Sequence, residues 1–277
     1  MSPNVTAYLA IAAVLYLFAQ ALQMGTGAAR LAGVRSKRVA TGLTLFNLFA
    51  TSSRMLNLIY APLMGALIDI SRRTGDVIGF ERDLRVIIGA ATIGAVLGGA
   101  MTPTFAVLLQ RGIRSFERSG SLVGSILRLF RPATFVSAIV EFRRPRMDML
   151  RHSPAGLPKA FLFWNIIVLA FWVAGPLSAF YAGVIDSKVT GTALLLSGLI
   201  TGVATITLTL VVDPMAAVIT DQVALGMRPE SDIKAMLLYL VLGAIAGTLL
   251  AQLILWPAAH LIVTVARFLV DHGLQHT

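Results

Sequence analysis

The stretch that decides the fold is ARLAGVRSKRVATGLTLFNLFATSSRMLNLIYAPLMGALIDI, residues 29–70. It opens with a cluster of four basic residues, Arg30, Arg35, Lys37 and Arg38. A long, mostly apolar run follows, and Arg54 lies near its middle. Such a run predicts a membrane-spanning helix with room for tilt. An arginine halfway along a span costs about 2.5–3.5 kcal/mol on insertion scales unless it faces protein or water, so we expect another part of the chain to face Arg54.

The composition extends this prediction to the whole chain. Of its 277 residues, 57% are hydrophobic and only 13% are charged. The apolar residues fall in long blocks rather than in the short alternating segments of a β-barrel, which predicts an all-α polytopic membrane protein with six transmembrane helices. The predicted spans cover about residues 5–24, 40–69, 86–109, 160–185, 189–220 and 235–256, and an amphipathic stretch, 110–118, continues the third. Gly94 with Gly98 and Gly243 with Gly247 are pairs of small residues four positions apart, which predict faces for close helix packing. The chain has no cysteine, which excludes disulfides and thiolate metal sites.

Two short matches indicate an internal repeat. Ala61-Pro62 to Asp69 is echoed by Asp213-Pro214 to Asp221, and the spacing from Gly89 to Pro103 equals that from Gly243 to Pro257. Each half would hold three helices, and because three is odd the second half would enter the membrane from the opposite face. This predicts an inverted repeat, a plan typical of secondary transporters. Helices two and five, both expected to be interrupted by proline, would be its paired central elements.

The predicted domains are an N-terminal repeat (1–118), a basic linker (119–159) and a C-terminal repeat (160–277). Within the linker, SLVGSILRLFR is basic and apolar on one side, which is typical of an interfacial helix, although a solvated linker fits equally well. Most Lys and Arg residues lie in loops one, three and five, so we expect these loops in the cytoplasm and both termini outside. The net charge of +10 then indicates orientation and contact with anionic membrane lipids, not nucleic acid.

Candidate substrate-binding residues are the polar side chains in or beside the central spans: Arg30, Arg35, Arg38, Asn47, Arg54, Asn57, Thr205 and Asp213. Arg54 could bind a phosphate or carboxylate through its planar guanidinium, or form a salt bridge to Asp213 or Asp69. Asp213 ends a series of polar residues at every fourth position from Ser197, and could balance Arg54, carry a coupling proton or cap a helix.

The other candidates each have a structural alternative. The cytoplasmic cations at 30–38 could recruit an anionic headgroup or only set the orientation. Asn47 and Asn57 carry amides that need partners within a span, so we expect both to point inward. Thr205 belongs to a stripe of hydroxyls that either lines a path or holds helices together.

Enzyme chemistry is not predicted. No glutamate lies in a predicted span, His260 has no evident acidic partner, and the sequence lacks a G-x-x-x-x-G-K-[ST] nucleotide-binding loop. His260 is therefore interpreted as a core or interfacial residue. No metal, cofactor or nucleotide is expected.

Four short motifs resemble a known family. Arg-Leu-Ala-Gly-Val-Arg (30–35), Leu-Phe-Asn-Leu (45–48), Ser-Arg-Met-Leu-Asn (53–57) and Ala-Pro-Leu-Met-Gly (61–65) are similar to the Amj family of bacterial lipid II flippases, the alternates to the MurJ type. The resemblance implies translocation of undecaprenyl-diphosphate-linked peptidoglycan precursor to the outer leaflet of the bacterial cytoplasmic membrane, a step of cell-wall biogenesis. A diphosphate suits arginines, a polar headgroup suits amides and hydroxyls, and the lipid tail requires a lateral opening.

Two other functions stay open at this point. One is a membrane undecaprenyl-diphosphate phosphatase or headgroup transferase, which the run Ser52-Ser53-Arg54 could indicate, although the first four helices offer no acid–base carboxylate inside the membrane. The other is a small-solute secondary transporter with Asp213 as its ion site.

Overall fold

The computed structural model describes residues 3–119 and 159–274, and all regular structure in these ranges is helical. The helices are α1 (Pro3–Arg35), α2 (Val39–Thr74), α3 (Val77–Ser119), α4 (Lys159–Ile185), α5 (Thr190–Thr207), α6 (Asp213–Ala224) and α7 (Glu230–Leu274). A short 3₁₀ turn, Ser187–Val189, precedes α5, and a π-helical segment, Leu208–Val212, joins α5 to α6. The linker helix predicted at 121–131 lies outside the described residues.

Five helical stretches in the described ranges are long and apolar enough to cross a membrane: 5–35, 77–114, 160–185, 187–224 and 230–272. The predicted second span, α2, is not among them. Its length is sufficient, but Arg54, Asn57 and the hydroxyl residues 51–53 lower the hydropathy of its middle. The same polar residues that make α2 a candidate binding helix therefore make its middle less apolar than that of the other predicted spans.

The first two helices are longer than predicted, and the loop between them is only residues 36–38. The reason is a glycine pair, because a Cβ on Gly33 would lie 3.0 Å from the Cα of Gly42. The two backbones therefore touch beside the turn, which Lys37 completes with φ 55°. Consequently Arg30 and Arg35 lie on α1, and the prediction that they belong to a loop is wrong.

Two other helices also begin earlier than predicted. The Asp76 side chain accepts a hydrogen bond of 2.8 Å from the backbone N–H of Gly79, so α3 starts at Val77 and not near residue 86. Helix α7 starts at Glu230, where Glu230 and Asp232 place negative charge in its first turn. These local electrostatic features lie outside the apolar blocks from which the spans were predicted.

Close glycine contacts hold each group of three helices together. In the first half α1 packs against α2 and α3, and in the second half α4 packs against α5 and α7. A Cβ on Gly98 would lie 2.6 Å from the carbonyl oxygen of Ala21, and one on Gly247 would lie 2.9 Å from that of Ile166. The prediction that Gly94–Gly98 and Gly243–Gly247 form close-packing faces is confirmed.

The two halves meet mainly where α3 packs against α7, whereas α1 and α4 have little direct contact. Helix α2 packs against α1 and also contacts α4, and α6 of the second half contacts α1. Both α2 and α5–α6 expose large apolar side chains, including Leu58 and Leu195. Helix α2 and the α5–α6 segment, which have few contacts with the rest of the bundle, therefore flank the space between α1 and α4. Both carry exposed apolar side chains.

The two prolines of the predicted repeat behave differently. Pro62 lies inside α2, which is helical without interruption from Val39 to Thr74, so the prediction that this helix is broken is wrong. Pro214 is the second residue after the π-helical segment, at the end of which the N–H of Asp213 bonds to the carbonyl of Leu208. The wider turn makes room for the proline ring next to the preceding backbone. Only the second of the two paired helices is thus interrupted.

Candidate functional site

Arg30 on α1 and Asp213 on α6 form an ion pair between the two halves of the chain. The Arg30 Nη2 lies 2.8 Å from the Asp213 Oδ1, and the guanidinium carbon lies 4.5 Å from the centre of the Phe46 ring. Only 11% of the Arg30 side chain is exposed, compared with 36% of that of Asp213. We call this pair the ionic contact. Asp213 therefore balances the charge of Arg30. The alternative prediction, that Asp213 balances Arg54, is wrong.

The interrupted helix determines how Asp213 is presented. The π segment changes the rotation of the helix just before Asp213, so this residue does not follow the uninterrupted α-helical spiral of polar residues that the sequence predicted from Ser197. Asp213 is the first residue of α6, where a carboxylate is favoured by the helix dipole. Thr205, within the stripe, donates its hydroxyl proton to the carbonyl of Thr201 at 2.7 Å, so this hydroxyl does not hold a second helix.

A second ionic cluster lies near the ionic contact. Arg35 binds Glu230 of α7 through Nη2 at 2.8 Å and through Nε at 3.1 Å, and Lys234 binds the same carboxylate. This cluster brings the turn at 36–38 together with the turn at 225–229, and we call this side of the bundle the Arg35 end. Arg38, the third cation predicted for headgroup capture, is exposed at the start of α2.

Arg54 lies on an exposed surface of α2. Its guanidinium carbon is 6.0 Å from the centre of the Trp172 ring on α4, the outer limit of a cation–π contact. Among the described residues it forms no ion pair, so the predicted salt bridge to Asp213 or Asp69 is wrong. Arg54 is therefore accessible for an anionic ligand.

The two asparagines differ in their surroundings. Asn47 lies two helical turns before Arg54, on the same exposed face, so the prediction that it points inward is wrong. Asn57 is half-buried, and its Oδ1 is covered without a hydrogen-bond partner in the described part of the chain. A buried acceptor of this kind costs free energy until a donor reaches it. Asn57 is thus suited to accept a hydrogen bond from a polar ligand or from water.

An aromatic contact, which the sequence analysis missed, joins α2 to α4 on the other side of Arg54. Tyr60 and Phe180 meet edge to face, with ring centres 6.4 Å apart, and Tyr60 also packs against Tyr16 at 5.0 Å. Tyr60 is only 3% exposed. We call the Tyr60–Phe180 pair the aromatic contact. Aromatic residues are ordinary core residues, so nothing in the sequence distinguished these two.

The aromatic contact faces the opposite end of the bundle from the ionic contact. At that end Arg72 donates to the carbonyl of Ser187 at 3.4 Å, and Arg267 of α7 binds Asp186 at 2.6 Å. We call this the Asp186 end. The hydrogen bonds from Arg267 and from the backbone of Lys188 lower the pKa of Asp186 below its usual value. Arg54 lies between the two ends, near the middle of α2.

The described residues contain no group of three or more His, Asp or Glu side chains that could hold a metal ion. The ring of His260 stacks on Trp256, with ring centres 4.0 Å apart, and its Nδ1 lies 3.0 Å from the Trp256 carbonyl oxygen. This position agrees with the interpretation of His260 as a packing residue.

Known proteins are similar to this chain over most of its length. The model of the Amj family, described as alternate to MurJ, matches residues 15–266. The chain belongs to the Amj family. The protein named lipid II flippase Amj from Bacillus subtilis (strain 168) is 34% identical over 246 residues, which is 87% of this chain and 90% of the relative. No solved structure matches the chain.

Family membership confirms the resemblance inferred from residues 30–65. Together with the apolar helices it establishes a multi-pass membrane protein with a transporter-type function rather than an enzyme. The phosphatase alternative drawn from Ser52-Ser53-Arg54 also loses its structural basis. Ser53 is buried, and its hydroxyl donates to the carbonyl of Ala19 at 2.8 Å, so this group serves helix packing.

Proposed function

We propose that this chain is a lipid II flippase of the bacterial cytoplasmic membrane. It moves undecaprenyl-diphosphate-linked peptidoglycan precursor from the cytoplasmic to the outer leaflet and so serves cell-wall biogenesis. The observation that carries this proposal is the 34% identity to the named lipid II flippase over most of both chains. An accessible arginine beside half-buried amide and aromatic groups suits a diphosphate-linked headgroup.

The proposed architecture is an inverted repeat of residues 1–118 and 160–277, with six spans including α2. Equivalent glycine contacts in the two halves support it. Gly25 packs against Phe49 as Gly175 packs against Ile200.

A second set of contacts follows the same pattern. Gly33 meets Gly42 beside the first turn, and Gly183 meets Thr190 beside the corresponding turn of the second half.

The third helices of the two halves align differently from the sequence match. Gly243 contacts α4, whereas a Cβ on Gly89 would meet open space. Gly94 of α3 instead makes the equivalent close contact with α1, at Leu17. Gly94, and not Gly89, is therefore the better counterpart of Gly243. This corrected alignment brings the offset of the third helices closer to that of the first two.

The repeat relates the two contacts that separate Arg54 from the ends of the bundle. Tyr60 on α2 corresponds to the segment just before Pro214, because Pro62 corresponds to Pro214. The ionic contact joins α6 to α1, and the aromatic contact joins α2 to α4. Rocking of the halves would open one contact while the other stays closed, which is alternating access. The Arg35 end carries most of the loop cations, so it is assigned to the cytoplasm and both termini to the outside.

The headgroup path starts with Arg30, Arg35 and Arg38 at the cytoplasmic end. Arg30 is bound by Asp213 until an anionic headgroup replaces that carboxylate. Binding of the substrate to Arg30 therefore opens the ionic contact in the same step. The path then reaches Arg54, which holds the diphosphate at mid-membrane. Asn47, Asn57 and Thr205 line the route of the sugar and peptide.

The lipid tail stays outside this path. The residues that flank Arg54 on the exposed face of α2 include Met55 and Leu58, which are 56% and 68% exposed. Apolar side chains exposed beside a cation offer a boundary between headgroup and tail. A lateral opening along α2 therefore lets the polyprenyl chain remain in the bilayer while the headgroup crosses.

The test is rescue of bacterial cells depleted of their other lipid II flippase. We expect the parent chain to rescue, Arg54→Ala to fail and Arg54→Lys to rescue weakly, because an ammonium lacks the bidentate fork. Arg82→Ala, an exposed arginine on α3 outside the site, is the matched control. Membrane levels are compared by immunoblot. Full rescue by a normally inserted Arg54→Ala would remove Arg54 as the diphosphate clamp, and failure of the parent itself would remove the flippase assignment.

A further inference from the structure

A polar pocket lies at the Asp186 end, between the last turns of α2 and α4. Its volume is about 550 Å³, within the usual range for small-ligand pockets. The lining residues are Asp69, Ser71, Arg72, Arg73, Gly75, Val77, Val184, Ile185 and Ser187. We call it the outer pocket. None of these residues belongs to the candidate substrate site described above.

The outer pocket lies directly beyond the aromatic contact. Helices α2 and α4 both run toward the Asp186 end, so Arg54, Tyr60 and Asp69 follow one another in that direction. Nine residues of helix separate Tyr60 from Asp69, a rise of about 14 Å. A headgroup that passes from Arg54 between the aromatic rings therefore arrives at this pocket next.

Cations dominate the lining of the outer pocket. Arg72 lies five full helical turns after Arg54, which places both on the same face of α2. Its Nη2 reaches the Ser187 carbonyl at 3.4 Å, a long and weak hydrogen bond. Arg73 has no ion-pair partner among the described residues, although Asp69 lies one turn before it. Two guanidinium groups thus face one pocket with a single carboxylate.

A simpler explanation for the positions of Arg72 and Arg73 is that they stabilise the carboxyl end of α2. Basic residues in the last turn of a helix stabilise its negative end, and Arg72 and Arg73 lie in the last turn of α2. That role requires no pocket and no contact with α4. The carboxyl ends of α2 and α4 both border this space, so their dipoles repel an anion. The amino end of α3 also borders the pocket at Val77, but the Asp76 carboxylate already caps that end, so we attribute the attraction of an anion mainly to the two arginines.

We propose that the outer pocket is a second binding site for a phosphate-bearing headgroup, occupied after the headgroup has passed the aromatic contact. The inference rests on the proposed function and adds a release site to it. The mostly polar lining suits the hydrated headgroup and not the lipid tail. Arg72 and Arg73 bind the phosphate oxygens, and the surrounding helix ends keep the affinity low enough for release.

The chain has no cysteine, which permits a direct binding test. Ser187 is exposed and lines the pocket, so Ser187→Cys in the purified protein should react with a thiol reagent. We expect inorganic pyrophosphate to slow this reaction at least several-fold. The protection should disappear when Arg72→Gln and Arg73→Gln are added. Ile78→Cys, 75% exposed at the same end but outside the lining, should not be protected.

A second probe distinguishes a lipid-linked diphosphate from a free one as the ligand of the pocket. Undecaprenyl diphosphate in detergent should protect Ser187→Cys at a lower concentration than pyrophosphate, because its tail adds membrane partitioning. Equal protection by both would identify a site for free phosphate and would overturn the release-site proposal. Absence of protection by either probe, or protection that persists without the two arginines, would overturn the site altogether.

Transport measurements keep this inference distinct from the proposed function. In the rescue assay we expect Arg72→Gln with Arg73→Gln to lower activity several-fold, while Arg82→Gln stays at the parent level. A thermal melt equal to that of the parent would exclude loss of helix stability as the cause. If the parent rescues but the double variant rescues equally well, the release site is wrong and the flippase assignment stands. If the parent fails to rescue, the flippase assignment fails first.

Discussion

In the proposed inverted repeat, the ionic contact and the aromatic contact occupy corresponding places, but they use different chemistry. Arg30 and Asp213 join α1 to α6 through a charged hydrogen bond of 2.8 Å. Tyr60 and Phe180 join α2 to α4 through an edge-to-face ring pair. In the proposed transport cycle an anionic headgroup would compete with Asp213 for Arg30, whereas it would have no favourable interaction to exchange for a ring–ring contact. We therefore propose that substrate charge opens the Arg35 end, while the Asp186 end opens through movement of the halves.

The largest expected effect comes from removing one charge of the ionic contact. Asp213→Asn leaves the mostly buried Arg30 without a counter-charge, which we expect to destabilise the protein by about 2 kcal/mol, less than a fully buried pair because Asp213 is partly exposed. A thermal melt in detergent measures this. The matched variant Asp221→Asn removes an exposed acid of the same helix, at the end of the repeated motif that begins with Asp213, and should leave the melt unchanged.

Replacing both partners of the ionic contact separates stability from transport. Arg30→Met with Asp213→Leu removes the pair without leaving a lone charge, so stability should return to within about 1 kcal/mol of the parent. Rescue activity should remain lost, because no cation is left to exchange its partner. Normal rescue by this double variant would contradict the role of the ionic contact in substrate capture.

A smaller loss is expected on the aromatic side. Phe180→Leu keeps most of the buried volume but removes the ring pair with Tyr60, which costs about 0.5–1.5 kcal/mol. The loss should not change with salt, since no ionic charge is involved. Comparing melts at low and high ionic strength for Phe180→Leu and Asp213→Asn tests this. A strong salt dependence for Phe180→Leu would show that the two contacts do not differ as proposed.

The smallest effect concerns Asp186, which lies beyond the aromatic contact. Its carboxyl group has a pKa lowered by the hydrogen bond from Arg267, so the bond stabilises the folded state above the ordinary carboxyl pKa. This stabilisation is lost as the pH falls through the lowered folded-state value. We expect Asp186→Asn to melt slightly lower than the parent at pH 7, by less than about 1 kcal/mol in stability. The two melts should converge as the pH falls below the lowered folded-state pKa of Asp186, and a constant difference would contradict the assignment.

The sequence alone determined the properties that depend on neighbours along the chain. Apolar run length predicted a helical membrane protein, the glycine spacings predicted the close-packing faces, and the motifs at 30–65 indicated the family. Arg54 was recognised because a cation within an apolar run is visible without knowing its surroundings. Each of these signals depends only on residues that are close together in the sequence, so it can be recognised without knowing the tertiary contacts.

Only the tertiary structure decided which charge faces which. Arg30 and Asp213 lie 183 residues apart, and no spacing rule connects them. The backbone contact of Gly33 with Gly42 extends α1, which carries Arg30 out of the predicted loop and up to α6. Tyr60 and Phe180 looked like ordinary core residues until the packing of α2 against α4 brought them together. Partner choice depends on how helices from distant parts of the chain pack, and this information is not contained in a local pattern.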